Sequence, residues 1–422
     1  MPLPPLPPHL SDKTTHQTST HAPSINEAGV SGEAVAYCVT SFDDLNLPAL
    51  LPSQQSFFNT LPWFRLLAET IVAPDQQLRI YVAGGGTNEV NSGQPGMLLP
   101  MLRQRTGGLF TPRRLQSLAN YYSPLFAPIV AAFALDQPDA NADAPGRSQS
   151  FSPGYGPPRN PPHSPSFATL AAALAAELPR WDAIDLHPLA ISDPAYAQVE
   201  AAFQAAGMAV QRYRCFTNWY LNVRGRTFDT YRSQLPSQLR NTLSRKLNKL
   251  GIRLTMEIVV DDCDGKLDAH IAAYNTIYGA SWKQAEAFPH FIRDLIRLCA
   301  KQGSLRLGMA HIDGVPAAAQ LWIVHEGVAS IVKLAYVARF SATSVGSILT
   351  AHLMQHVIDI DQVEEVDFLS GDDAYKKDWM SDSRERWGLI ALNLHTARGI
   401  LLAVRNIGGR HLKNFLRGIT FR

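Results

Sequence analysis

The chain has 422 residues, 46% of them hydrophobic and 9% aromatic, which is more than one ordinary core holds, so two or three domains are expected. Lys and Arg total 38 against 36 Asp and Glu, and the net charge of +2 excludes polyanion binding by overall charge. Any basic surface must be local, and no DNA partner is expected.

The four cysteines (Cys38, Cys215, Cys263, Cys299) lie far apart and form no CxxC pair, so neither metal-site spacing nor a disulfide framework is present. Reduced thiols and a cytoplasmic location are expected. The N-terminal stretch has no basic n-region or apolar h-region, and no run reaches the ~18 apolar residues of a spanning helix.

Residues 1–32, rich in Pro, Ser, Thr and His, read as a disordered tail. Order is predicted to begin with the strand-like run Ala34 to Val39. FFNTLPWFRLLAE (57–69) reads as a helix begun at Asn59 or Thr60, with Pro62 in its first turn. LRIYVAG and GMLLPMLRQR read as a hairpin around a Gly-rich loop. No Lys-Ser/Thr follows Gly84 to Gly86, so the loop is not read as a phosphate cradle.

Residues 136–166 are rich in Pro, Gly, Ser and Asn and read as a disordered surface insertion. A helix (167–178), the strand WDAIDLHPL, a helix around 195–206 and a strand from Tyr213 to Val223 complete a first domain, 33–225. A second, 226–396, has predicted helices at 237–250, 268–282, 289–302 and 345–358. Its strands are LTMEIVV, LRLGMAHI, AAAQLWIVH, VASIVKLAYV and EEVDFLS. This alternation argues for an α/β fold with a mixed sheet, and the halves are similar in plan. The tail, 397–422, carries Arg398, Arg405, Arg410, Lys413 and Arg417 among apolar residues. It reads as a basic amphipathic helix that docks on the domain or lies against a membrane surface or partner.

Several groups could carry chemistry. SQLRNTLSRKLNKL (237–250) has a leucine stripe, with Ser237 to cap its start and Gly251 to end it. Arg240, Arg245, Lys246, Lys249 and Arg253 follow with no acidic residue from Thr230 to Met256, which suits an anionic ligand or a solvated basic face. Trp282 and Lys283 end another helix, where the pair lines a cleft or the ring joins the core. Between a strand and an apolar-faced helix, Thr343-Ser344-Val345-Gly346-Ser347 forms a small-residue turn. A helix start there aims free N–H groups and partial positive charge at a phosphate. Beyond the next strand Asp372, Asp373, Tyr375, Lys376 and Lys377 offer proton-transfer groups, or serve as turn formers and a lid. His352 and His356 share a helix face, but no third ligand stands out, so no metal is expected.

In order, LPSQLRNTLSRKLNKL, YGASWK, GVPAAAQLWIVHEGVASIVKLAYVARFSATSVGSIL and VDFLSGDDAYKKDW resemble the BioF2-like, or CelD-like, acetyltransferase family of the GNAT superfamily. The resemblance is best from Phe228 to Leu394 and looser in FFNTLPWFRLLAE, MLLPMLRQR and LQSLANYYSPLFAPI. It implies tandem GNAT-like α/β domains with mixed central sheets flanked by helices, similar to the Fem aminoacyltransferases. It also implies N- or O-acyl transfer from acyl-CoA, with acetyl-CoA the expected donor, to a small-molecule or glycan-precursor acceptor of envelope or exopolysaccharide synthesis, in the cytoplasm or peripherally at the inner membrane face. The donor's pyrophosphate would rest on Ser344, Val345, Gly346 and Ser347. Arg339 stands seven residues before Gly346, unlike the superfamily's usual loop. Substrate contacts are expected from Arg240, Trp282, Lys283, Lys333 and Tyr336, and catalytic groups from Asp372, Tyr375 and Lys376. The alternatives are a non-catalytic accessory protein or a Fem-like transferase using aminoacyl-tRNA.

Overall fold

The structure, a computed structural model, describes residues 35–45, 56–84, 95–104, 108, 111–130 and 167–408. The N-terminal tail, the 136–166 insertion, the Gly-rich hairpin loop and the end of the C-terminal tail lie outside these residues.

The first half runs β1 (Val35–Val39), α1 (Leu61–Thr70), β2 (Gln76–Gly84), β3 (Pro95–Gln104), β4 (Arg114–Ser117), β5 (Ile129–Val130), α2 (Phe167–Ala176), β6 (Ala183–Ala190), α3 (Pro194–Ala205) and β7 (Met208–Asn222). The second half opens with α4 (Phe228–Gln234), α5 (Ser237–Leu250), β8 (Leu254–Val259), α6 (Leu267–Gly279) and α7 (Phe291–Lys301). It continues with β9 (Leu305–Ile312), β10 (Val315–His325), β11 (Val328–Tyr336), α8 (Val345–Gln355), β12 (Glu365–Ser370), β13 (Asp382–Asn393) and α9 (Ala397–Ala403). α/β alternation is as expected. Strand β13 is an addition that the periodicity reading missed.

Local chemistry explains the ends of several elements. Thr60 caps α1 by accepting the Trp63 N–H, and Pro62 fits the first turn, where its missing donor costs nothing. On α5, Pro236 rather than Ser237 holds the N-cap position and offers no side-chain acceptor. Gly251, at φ 51°, ends that helix in a region open to glycine.

One mixed sheet joins both halves, in the order β1-β2-β3-β4-β6-β13-β7-β12-β11-β10-β9-β8, with β5 paired to β3. β1 to β4 pair antiparallel and β4 pairs parallel with β6. β8 to β11 repeat that pattern, and β11 pairs parallel with β12. The last strand of each half then crosses over: β13 lies against β6, β7 against β12, and the two pair with each other.

Two cores cover the second half of the sheet. One combines α6 and α7 with first-half side chains, Trp63 meeting Phe291 edge-on at 5.7 Å. The other buries Leu243 and Leu250 of α5 with Val345, Ile348 and Leu349 of α8. The basic helix is thereby seated beside the start of α8.

Candidate functional site

Strands β11 and β12 pair only from Val328–Glu365 to Ser330–Asp367 and then part. β11 continues along β10 to Tyr336, while β12 is drawn toward β7, where Ser370 meets Asn218. A buried polar network drives the parting. Asn218 Nδ2 donates to Asp367 Oδ1 and to the Leu369 carbonyl, and Asp367 accepts the Leu369 N–H at 2.6 Å. Leu369 takes φ 56° under this constraint. Arg384 of β13 closes the network, donating to Asn218, Asp367 and Glu365. Burial, and then the charge of Arg384, push the neighbouring Arg386 guanidinium down to about 10.

The corresponding split in the first half is stitched shut. Just beyond the β4–β6 pairing, the buried Ser117 Oγ accepts the His187 N–H at 2.9 Å, and Phe126 N–H bonds the Pro188 carbonyl at 2.6 Å. In the second half, β11 and β12 pair no further than Ser330 and Asp367.

At the mouth of this split stands the start of α8. Ser344 is its N-cap, in a left-handed conformation (φ 58°), and no side chain caps the helix. The first-turn N–H groups of Val345, Gly346 and Ser347 thus lie where a helix lacks internal acceptors. A buried chain of hydrogen bonds fixes this start. Trp322 Nε1 donates to Gln320 Oε1, and Gln320 Nε2 donates to the Gly346 carbonyl (2.8 Å) and to Thr350 Oγ1 (2.9 Å). A Cβ at Gly346 would come within 3.1 Å of the Tyr336 ring. Lys246 of the basic helix donates to the Ala342 carbonyl at 2.6 Å, two residues before Ser344. Arg240 lies in the first turn of α5, bonded to the Ser233 carbonyl at 2.9 Å. An open cavity of about 520 Å³ lies on the same helix, lined by Asn241, Ser244 and Arg245 among others.

The turn after α6 forms a second wall. The helix stops at Gly279, earlier than its expected end at Trp282, and this frees the Trp282 ring. Trp282 is 57% exposed and lies 4.2 Å from the Tyr336 ring, so the reading of it as core fails. Lys283 Nζ is 5.9 Å from the Trp282 ring.

Deeper in, Lys333 of β11 pairs with Glu286 at 2.6 Å and sits 4.7 Å from the Tyr122 ring. The Tyr122 hydroxyl donates to Glu286, and Tyr121 donates to it at 3.2 Å. Burial opposes ionisation of Glu286, yet Lys333 and the Tyr122 and Tyr278 hydroxyls hold its carboxyl below the usual range. Tyr121, Tyr122 and Glu286 were not identified from sequence. Their one trace was the tyrosine pair in LQSLANYYSPLFAPI.

The segment after β12 lines the third side. Lys376, buried, donates to the carbonyls of Phe368 (3.2 Å), Ser370 (2.6 Å) and Gly371 (3.3 Å), and burial lowers its pKa. Asp372 accepts the Trp219 indole N–H at 2.7 Å. Tyr375 is 44% exposed, and burial of its hydroxyl with Asp373 nearby pushes that group up to about 12. His352 and His356 join no group of metal-binding side chains among the described residues.

A search of curated proteins gives no match. Among solved structures, FemX is similar, at 9% identity over 80% of this chain and 92% of that one, with a TM-score of 0.49. L-PGS from Bacillus licheniformis is similar at 9% identity, over 82% and 96%, TM-score 0.43. A tandem GNAT protein from the clavulanic acid biosynthesis pathway is similar at 13% identity, over 85% and 98%, TM-score 0.40. The family model described as Acetyltransferase (GNAT) domain matches residues 237–377, the stretch that supplies the basic helix, the split strands and the uncapped start of α8.

Proposed function

We infer that this chain is an acyltransferase whose donor is a CoA-type thioester held in the split between β11 and β12. The observation that carries this reading is the start of α8: a left-handed, uncapped helix N-terminus at the mouth of a strand split, beside a basic helix. The residues fit a pyrophosphate. Val345, Gly346 and Ser347 would hold it through backbone N–H groups, and the missing side chain of Gly346 lets this turn pack closely on Tyr336.

Bound there, a thioester supplies an acyl carbon activated toward attack. The chain's own part is to position and to move protons. Past Ser330 the edge of β11 is no longer paired with β12, so its backbone groups are available to a developing oxyanion. Trp282 and Tyr336 form an aromatic wall at the entrance. Tyr375, neutral at pH 7, suits proton donation rather than acceptance. Lys376 has its donors committed to three carbonyls and acts as a clamp on the end of β12. Asp372 orients Trp219. The acceptor reaches the cleft past Tyr121, Lys283 and Lys333, and a glycan precursor or other small molecule is the class proposed. Arg240 and its basic neighbours fit an anionic portion of either substrate.

Isothermal titration tests the donor site. CoA and acetyl-CoA should bind the wild type, and Gly346→Leu, which drives a side chain into Tyr336, should weaken binding at least tenfold. Unchanged affinity in the variant, or no binding by the wild type, rejects the site. Dependence of turnover on charged tRNA would instead favour an aminoacyl donor.

A further inference from the structure

Lys283 lies in the turn after α6, its Nζ 5.9 Å from the Trp282 ring, which in turn lies 4.2 Å from Tyr336 at the end of β11. The charged groups facing it are Lys333 from β11, Glu286 from its own turn, and Asp373 and Lys376 from beyond β12. Its neighbours are committed. Lys333 is paired with Glu286, and Lys376 is spent on three carbonyls. Lys283 Nζ itself makes no hydrogen bond or ion pair among the described residues, and it lies 5.9 Å from the Trp282 ring. Two other ionisable groups in the cleft are poor proton acceptors: Tyr375 is already protonated, and Glu286 is stabilised as a carboxylate by two tyrosines and a lysine.

We propose that Lys283 is the catalytic residue that takes the proton from the attacking amine or hydroxyl of the acyl acceptor. This rests on the acyl-transfer reading of the same cleft. The acceptor attacks the thioester carbonyl carbon, a C–N or C–O bond forms, and its proton passes to the neutral Lys283 amine. The C–S bond then breaks, and the departing thiolate takes a proton from the Lys283 ammonium. Nothing is oxidised or reduced, and the lysine returns to its neutral form. The electrostatics suit this cycle. Burial, followed by the charge of Lys333, brings the Lys283 amine down to about 8, with Glu286 and Asp373 opposing. A proton acceptor works best when its pKa lies near the working pH.

Two measurements on the full chain test this. Trace acetylation with acetic anhydride across pH, read by mass spectrometry, should give Lys283 a midpoint near 8 and protection by CoA. With acetyl-CoA and ethanolamine, wild-type thiol release should rise with pH and level off above about 8; acetyl-CoA hydrolysis supplies the same comparison if ethanolamine is not acylated. Lys283→Arg and Lys283→Met should each lower kcat by roughly 100-fold or more, leave KM for acetyl-CoA within threefold, and lose the rising limb. An ordinary lysine midpoint near 10 overturns the assignment, as does Lys283→Arg turning over within threefold of wild type with an unchanged profile. CoA binding with either result rejects Lys283 alone, whereas no CoA binding rejects the donor reading and the assignment with it.

Discussion

Replacing Lys283 with Met should make the protein more stable at pH 7 while removing its proposed chemistry. The fold lowers this amine from an ordinary value near 10.5 to about 8, so folding a protonated Lys283 costs free energy. At about 1.36 kcal/mol per pKa unit, the full displacement amounts to about 3 kcal/mol. The side chain keeps partial contact with water, and screening reduces this to about 1–2 kcal/mol. Between the folded value of about 8 and the unfolded value near 10.5, the unfolded chain binds more protons. Wild-type stability therefore rises with pH across that window, and the penalty is fully present below it. Met keeps the length of the stem and carries no charge. Urea denaturation should show Lys283→Met more stable by about 1–2 kcal/mol at pH 7, with the gap closing toward pH 10. A variant no more stable at pH 7, or a gap independent of pH, would refute the account of a strained lysine.

Other consequences follow from the polar groups around the cleft. Lys376→Met strands three carbonyls at the end of β12 and should cost about 2 kcal/mol in chemical denaturation; Lys376→Arg should not restore it, because a planar fork cannot address the three acceptors as the ammonium does. Asn218→Ala leaves buried Asp367 and Arg384 short of partners and should cost about 3 kcal/mol, and a loss below 1 kcal/mol would show that the network tolerates its removal. On α9 and the turn after it, Leu401 and Val404 are 68% and 64% exposed, and the sequence from 397 to 422 contains no acidic residue. Phosphatidylglycerol vesicles should therefore pellet the full chain at low salt, and Leu401→Asp should reduce this severalfold; equal pelleting with neutral vesicles would count against a membrane-surface role.

Much of the second half could be read from local signals. The leucine spacing of α5 and the glycine after it marked Ser237–Leu250, and the small-residue turn marked the start of α8. Strand β13 escaped because its first residues, Asp382 to Arg386, are mostly charged and resemble a loop. They occupy the middle of a sheet only because Asn218, Glu365 and Asp367, remote in sequence, satisfy Arg384. The same limit hid the Tyr122–Glu286–Lys333 cluster, whose three members come from separate parts of the chain. Trp282 reads from sequence as either cleft wall or core, because the helical pattern runs on past Gly279. No local pattern distinguished a ring that closes a helix from one that flanks a cleft.

The crossing of β7 and β13 also sets an order of events during synthesis. β6 and β7 are consecutive strands, yet they are not neighbours in the sheet, because β13 lies between them. A nascent chain that has completed the first half therefore holds open a gap one strand wide, with two unsatisfied backbone edges facing each other. That gap cannot be filled until every strand from β8 to β12 has emerged. Exposed edges of this kind recruit foreign strands, and long-range pairings close slowly. The growing chain is thus most vulnerable to aggregation just before β13 emerges, and a ribosome stall ahead of Asp382 would release a chain unable to close its own sheet.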